Sequence, residues 1–277
     1  MKTVRIIGRI LIYLLALILA FIAIFPLLWS IVTSFKTPSQ TYAWPPVIIP
    51  HPFTWQNYGT VLFSSTMVRM FENTAITAFF STIVSGVVSL LAAYGFSRFK
   101  FPGKNFLFGS ILFSRLLPRV TLLIPFYIIL AKLGLINHKG GLVLVYLMVA
   151  MPITVWMLRG YVDTVPFEIE EAAIVDGCGT FGVLFRIVVP MLAPAIVAVS
   201  MYAFILAWNE FLMPLLFTKD ITSRTISVGL AFYIDDSGVQ YGPMMAASVM
   251  MSIPPIIVFS YAQKYIVKGL SEGAVKG

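Results

Sequence analysis

The chain is short of charge and nearly without cysteine or histidine. Only 11% of its 277 residues are charged, against about 25% in soluble domains, and 59% are hydrophobic, against roughly 45–50%. A soluble fold of this size cannot hide that much apolar surface, so lipid is the expected solvent. Cys178 is the only cysteine, which excludes an intrachain disulfide or a cysteine cluster. It stands between Gly177 and Gly179, where a small residue serves as a spacer. His51 and His138 are far apart and no H-E-x-x-H occurs, so no metal site is expected. G-x-x-x-x-G-K-[ST] is absent as well, so the chain lacks a phosphate-cradling P-loop. No nucleophile–base pair can be assembled, and neither catalysis nor a bound cofactor is expected.

What is present is a series of apolar runs, five to six of them long enough for a hydrocarbon core of about 30 Å, which takes roughly 20 helical residues. They read as an all-α polytopic membrane protein with six spans, at 10–34, 73–95, 106–131, 141–160, 189–216 and 243–265. Prolines 118, 125, 194 and 214 break the third and fifth, which membrane helices tolerate when neighbours satisfy the freed carbonyls. The first run, after Lys2, Arg5 and Arg9, is longer than the 7–15 residues of a signal peptide's apolar region and closes on no clear cleavage site; it reads as an uncleaved span. With both termini inside, inner segments carry eleven Lys and Arg and outer segments six, which supports an N-in, C-in orientation. The net charge of +8 therefore reflects topology, and nucleic acid is not an expected partner.

The chain divides into a first span (1–35), an outer segment (36–72), a five-span core (73–265) and an inner tail (266–277). Trp44-Pro45-Pro46 and Trp55-Gln56-Asn57-Tyr58 give the outer segment the amphipathic rings that settle at the water–lipid interface. The tail is rich in glycine and reads as a poor helix, suited to an extended contact.

The most informative stretch is the inner loop at 161–190. It holds four of the eleven acidic residues, Glu168, Glu170, Glu171 and Asp176. Pro166 suits a first helical position, because its missing N–H would be unpaired there anyway. The glutamates follow where the helix dipole favours negative charge. Ala172 and Ala173 continue with minimal side chains, Gly177 stands at a left-handed helix stop, and Thr180 can cap a second helix running towards Pro190. Two short helices joined by a tight turn at the inner membrane face read as a docking element for another protein.

Glu171-Ala172-Ala173, Asp176-Gly177 and Ile187-Val188-Val189-Pro190 resemble the EAA signature of ABC importer permeases, with Val189 in place of the usual leucine and Cys178 where alanine is common. The tail Gly269-Leu270-Ser271-Glu272-Gly273-Ala274-Val275-Lys276-Gly277 is similar to the C-terminus of the second permease subunit in maltose-type carbohydrate importers. Phe101-Pro102-Gly103-Lys104 and Ala207-Trp208-Asn209-Glu210 also look like that family. The resemblance implies a type I importer fold in a bacterial or archaeal cytoplasmic membrane, with the EAA helix as coupling helix. It implies that Glu171 binds a basic group on a cytoplasmic ATPase dimer, that Ala172 and Ala173 allow close seating, that Asp176 belongs to the same coupling segment, that Gly177 shapes the turn, and that the tail contacts the ATPase. It further implies a second, non-identical permease, an extracytoplasmic binding protein that delivers sugar, and ATP and magnesium used by the ATPase.

Ionisable groups inside spans are candidates for the translocation path, because lipid burial is costly. Arg115 and Arg119, four apart, are expected to share a helix face in the third span. They either line a polar path or pair with carbonyls and acids to hold the helices together. Asn209 and Glu210 after Trp208 either meet a sugar or bond between helices, and Tyr202 reads as packing. Two arginines also admit an acidic saccharide or a sugar phosphate as solute. An ion-gradient carrier remains as an alternative, although such carriers place acids deep in several spans, whereas the acids here cluster in an inner loop.

Overall fold

The computed structural model describes residues 2–235 and 238–274, with side chains over 8–234 and 238–265. In chain order its helices are α1 (Lys2–Ser34), α2 (Pro38–Thr41), α3 (Gln56–Leu62), α4 (Ser65–Arg98), α5 (Lys104–Phe113), α6 (Leu123–Lys132) and α7 (Lys139–Val162). They continue as α8 (Phe167–Val175), α9 (Thr180–Val183), α10 (Val189–Met191), α11 (Ala193–Trp208), α12 (Leu212–Phe217), α13 (Ile226–Gly229) and α14 (Tyr241–Ala274). A short antiparallel hairpin, β1 (Ile234–Asp235) with β2 (Gly238–Val239), precedes α14.

Among the described residues, four helices are long and apolar enough to cross a bilayer unbroken: Gly8–Ser34, Ser65–Arg98, Lys139–Val162 and Tyr241–Tyr265. Two bent pairs complete six crossings if each counts as one span, Lys104–Leu116 with Arg119–Lys132 at 111° and Thr180–Met191 with Ala193–Trp208 at 83°. The first bend follows from Pro118, which forces Leu117 into extended backbone (φ −69°, ψ 135°). The second falls at Leu192, just before Pro194, whose ring cannot continue the preceding helix. Pro125 sits in the first turn of α6, where a missing N–H costs nothing. The fifth span expected at 189–216 is thus displaced. Its helices begin at Thr180 and end at Trp208, and Pro214 falls in the separate α12. The tail also differs from expectation, since α14 continues as helix through Ala274; residues 275–277 of the expected contact segment lie outside the described residues.

The chain forms two compact units. One comprises Met1–Val68 with Gly229–Ile253. There Phe35 stacks on Phe53 (4.2 Å between centroids) and meets the edge of Trp55 (4.9 Å), so the aromatic outer segment packs on itself. Asn57 Nδ2 donates to the carbonyls of Ser34 and Lys36, both at 2.9 Å, tying α3 to the end of α1.

The other unit comprises Arg69–Val228 with Pro254–Gly277. Within it α4 buries a stripe of small polar residues four apart, Asn73, Thr77, Ser81, Ser85 and Ser89. Small side chains let membrane helices approach closely, and their hydroxyls bond across, as Ser89 does to Thr154 at 2.6 Å. Asn73 Nδ2 donates to the carbonyls of Ile221 and Arg224, fixing the loop before α13 on α4.

Candidate functional site

The inner loop folds as a helix, a glycine turn and a second helix. Pro166 is the residue before α8 and Phe167 its first, one place later than expected. Asp176 ends the helix and Gly177 follows in the left-handed region (φ +90°), which only glycine adopts without strain. The Cys178 N–H then bonds the Ala173 carbonyl and the Gly177 N–H the Ile174 carbonyl, both at 2.9 Å, closing a Schellman motif. Gly179, extended at φ −73°, precedes α9 and no side chain caps it, so Thr180 is the first helical residue and not the cap expected of it. From Leu184 to Val188 the backbone widens into a π-helical stretch before α10, a local feature associated with functional sites.

The faces of α8 divide by helical spacing. Glu170 and Ala173, three apart, are buried at 2% and 8% exposure, whereas Glu171, Ala172, Asp176 and Gly177 are exposed. Ala173 therefore does not offer a seat to another protein. It packs into a core with Leu90, Tyr94, Leu158, Val162, Val183 and Leu184, where its small side chain lets α8 approach α4 and α7. The exposed face also carries Ile174, Val175 (86% exposed) and, on α9, Phe181, which stacks on Phe185 at 6.4 Å. Exposed apolar side chains rimmed by polar groups suit contact with another protein or with the membrane surface.

Beneath this face lies a clamp that joins α8 to two spans. Arg98, the last residue of α4, donates from Nε to Glu170 Oε1 at 2.7 Å, and its Nη2 stands 2.6 Å from the same oxygen. Nη2 also donates to the carbonyls of Val162 (2.9 Å) and Val165 (2.8 Å) at the end of α7. Tyr94 Oη donates to Glu170 Oε2 at 2.9 Å, and Nη1 donates to Ser97 Oγ, whose hydroxyl in turn donates to Asp163. A buried carboxylate is costly unless paired and hydrogen-bonded, and both of its oxygens are engaged here.

Two of the candidate path residues flank the break in a bent span. Arg115 lies in the tight turn Ser114–Leu116 and Arg119 in the turn Arg119–Leu122, on either side of the 111° bend. They do not share a helix face; Pro118 has removed the helix that a spacing of four requires. Arg115 Nη2 donates to Tyr202 Oη at 3.4 Å, giving Tyr202 a polar role beyond packing. Arg119 Nη1 donates to Glu210 Oε2, also at 3.4 Å. Glu210 is buried, and its Oε1 accepts from the N–H groups of Leu212 (3.1 Å) and Met213 (3.3 Å), capping α12. Asn209 Nδ2 turns back to the Ile205 carbonyl at 2.9 Å.

The chain matches, over residues 85–272, the family described as "Binding-protein-dependent transport system inner membrane component". The chain belongs to this family. The permease is 35% identical to the trehalose/maltose transport system permease protein MalG of Thermococcus litoralis, over 99% of each chain. It is 32% identical to the sulfoquinovosyl glycerol transport system permease protein SmoH of Agrobacterium fabrum, over 98% of this chain and 95% of that one. A crystal structure of a bacterial ABC transporter that imports the acidic polysaccharide alginate has a chain of the same fold, with a TM-score of 0.83 at 22% identity, covering 96% of the permease and 98% of that chain. The type I importer fold and the inner-membrane location expected from the sequence are thereby shown.

Two residues of the permease escaped sequence reasoning. In the sequence Glu170 is one of four acids in the inner loop, and Arg98 is one of eleven inner-side basic residues. Their partnership spans 72 positions and has no local signature. One signal was available: Glu170 and Ala173 are three apart, so a face carrying Ala173 inward must carry Glu170 inward too.

Proposed function

We propose that the permease is the second of two non-identical membrane subunits of an importer for sugars, and that α8, the Gly177 turn and α9 seat on a separate cytoplasmic ATPase dimer. The observation that carries this reading is the exposed apolar and acidic face of α8 and α9, held to α4 and α7 by the buried Arg98–Glu170 pair. Glu171 offers its carboxylate to a basic group, Ala172 allows close approach, and Asp176 with Gly177 shapes the turn. ATP and magnesium are used by that ATPase, and this chain performs no catalysis. An extracytoplasmic binding protein delivers the solute, as the family description supports. Closure of the ATPase dimer then biases the spans between two states through the clamp. An ion-gradient carrier is not favoured, because the chain belongs to a family of binding-protein-dependent transporters.

Gly177→Val tests the seat. A β-branched residue at a left-handed position costs roughly 1–2 kcal/mol, and no neighbouring atom lies within 4 Å of the added Cβ, so the strain is confined to the turn. The variant is expected to reach the membrane but to retain less ATPase on co-purification. Wild-type retention together with wild-type transport would count against the assignment.

A neutral sugar is favoured over an acidic one, since Arg119 faces Glu210 and Arg115 reaches Tyr202. The contact is long at 3.4 Å, and the Arg119 side chain is 46% exposed, so little of the fold rests on it. Arg119→Ala also leaves Glu210 bonded to the start of α12. Membrane level and neutral-sugar uptake are therefore expected to stay within about fivefold of wild type. Loss of uptake at a normal membrane level would instead place Arg119 in the path.

A further inference from the structure

Within the unit of Met1–Val68 and Gly229–Ile253, the segment 38–60 and the start of α14 enclose a cavity of about 220 Å³. We propose that this cavity binds one pyranose ring of a neutral saccharide on the outer side of the membrane. The inference rests on the sugar-importer reading.

Two aromatic faces come first. Tyr42 and Tyr241 stand 6.0 Å apart with their planes at 60°, both exposed, and Tyr42 Oη is anchored by donating to the Val239 carbonyl. Such faces suit the apolar C–H side of a sugar ring while leaving its edge to polar partners. Thr41 Oγ1 donates to the Thr37 carbonyl at 2.9 Å and Thr60 Oγ1 to the Gln56 carbonyl at 3.1 Å. With their protons committed, both hydroxyl oxygens retain acceptor capacity for sugar O–H groups. Gln56 lines the same cavity with a carboxamide, which carries donors and an acceptor.

The floor is rigid. Asn57 is buried and fixed by its two bonds to the end of α1, and Gly242 packs so closely that an added Cβ would lie 2.6 Å from Asn57 Oδ1. Among the described residues, no carboxylate, lysine, arginine or histidine lines the cavity, so they offer an acidic sugar no counter-charge. Size sets the remaining limit. Drug-sized sites run to about 300–1,000 Å³. This one is smaller and suits a single ring, the terminal unit of a longer saccharide included.

The test is Pro38→Cys, at a lining residue that makes no polar contact with the sugar, in the full importer, in intact spheroplasts stripped of the binding protein. A membrane-impermeant maleimide labels the outer side, while Cys178 lies on the inner side and stays protected. Maltose and trehalose are the probes, with mannitol and glucuronate as controls at equal concentration. Occupancy is expected to slow labelling by the factor 1 + [L]/Kd, about tenfold at nine times the Kd, for maltose or trehalose alone. Tyr241→Ala in the Pro38→Cys background is expected to abolish that protection. Pro243→Cys supplies the same readout if Pro38→Cys fails to reach the membrane. Equal protection by mannitol or glucuronate, or none by either disaccharide, overturns the cavity's assignment. A parallel uptake panel with the binding protein restored separates the two readings. Import without protection removes the cavity alone, and failure to import any saccharide removes the sugar-importer reading with it.

Discussion

Replacing Arg98 by alanine is expected to abolish import and to deplete the folded permease. Glu170, only 2% exposed, would lose the guanidinium that neutralises it, and the carbonyls of Val162 and Val165 would lose their donor. Removing one partner of a buried ion pair costs about 3–5 kcal/mol. Typical stabilities are only about 5–15 kcal/mol, so this loss is large. At 1.4 kcal/mol per factor of ten it shifts the folding equilibrium by roughly two to four powers of ten. Arg98→Lys is expected to fall between alanine and wild type, because an ammonium is a point charge and cannot serve a carboxylate and two carbonyls with a planar fork. Glu170→Gln keeps the shape and the Tyr94 contact and is expected to be milder than Arg98→Ala, since Arg98 retains two carbonyl partners. Melting of the purified protein, membrane level and uptake read the series. An Arg98→Ala protein that melts and transports like wild type would show that the pair contributes nothing.

The clamp also shows where sequence stops being informative. The apolar runs were legible because their length and lack of charge are properties of the chain itself. So was the Gly177 stop, because the left-handed position has a local residue preference. Pro118 was visible as an interruption, but its consequence was not. A spacing of four implies a shared face only on a continuous helix, and the 111° bend separates Arg115 from Arg119. Ala173 illustrates a different limit. Small residues serve both a docking seat and close internal packing, and only the neighbours Tyr94, Leu158 and Val162 decide between them. The serine and threonine stripe of α4 was likewise present in the sequence, four residues apart. Its small hydroxyl residues acquire meaning only once other helices pack against them.

The same geometry separates two kinds of failure. Residues on the inner face of α8 hold the element in place, whereas those on its outer face are exposed, and in the proposed coupling role they matter to the ATPase rather than to the fold. A seat that is rigidly tied to α4 and α7 transmits displacement; one hung on a flexible loop would absorb it. The Schellman turn adds to this rigidity, since its two backbone bonds fix the angle at which α9 leaves α8.

Charge reversal on the outer face is expected to give the second large effect. Glu171 is exposed and makes no contact that the fold depends on, so Glu171→Arg is expected to change stability by no more than about 0.5 kcal/mol. Its membrane level and melting should therefore match wild type. Association with the ATPase should not. If Glu171 meets a basic group across a desolvated contact, alanine removes a pair whose truncation costs about 2–5 kcal/mol, and arginine adds like-charge repulsion of several kcal/mol. At 2 kcal/mol the affinity already falls by about thirtyfold, enough to strip the ATPase during purification. Transport should fall with it, and Glu171→Gln, neutral but able to accept a hydrogen bond, should lie between wild type and alanine. Arg98→Ala thus loses activity together with the fold, whereas Glu171→Arg loses it with the fold intact. Full import by Glu171→Arg with the ATPase still bound would remove the coupling role from Glu171, however well α8 is clamped.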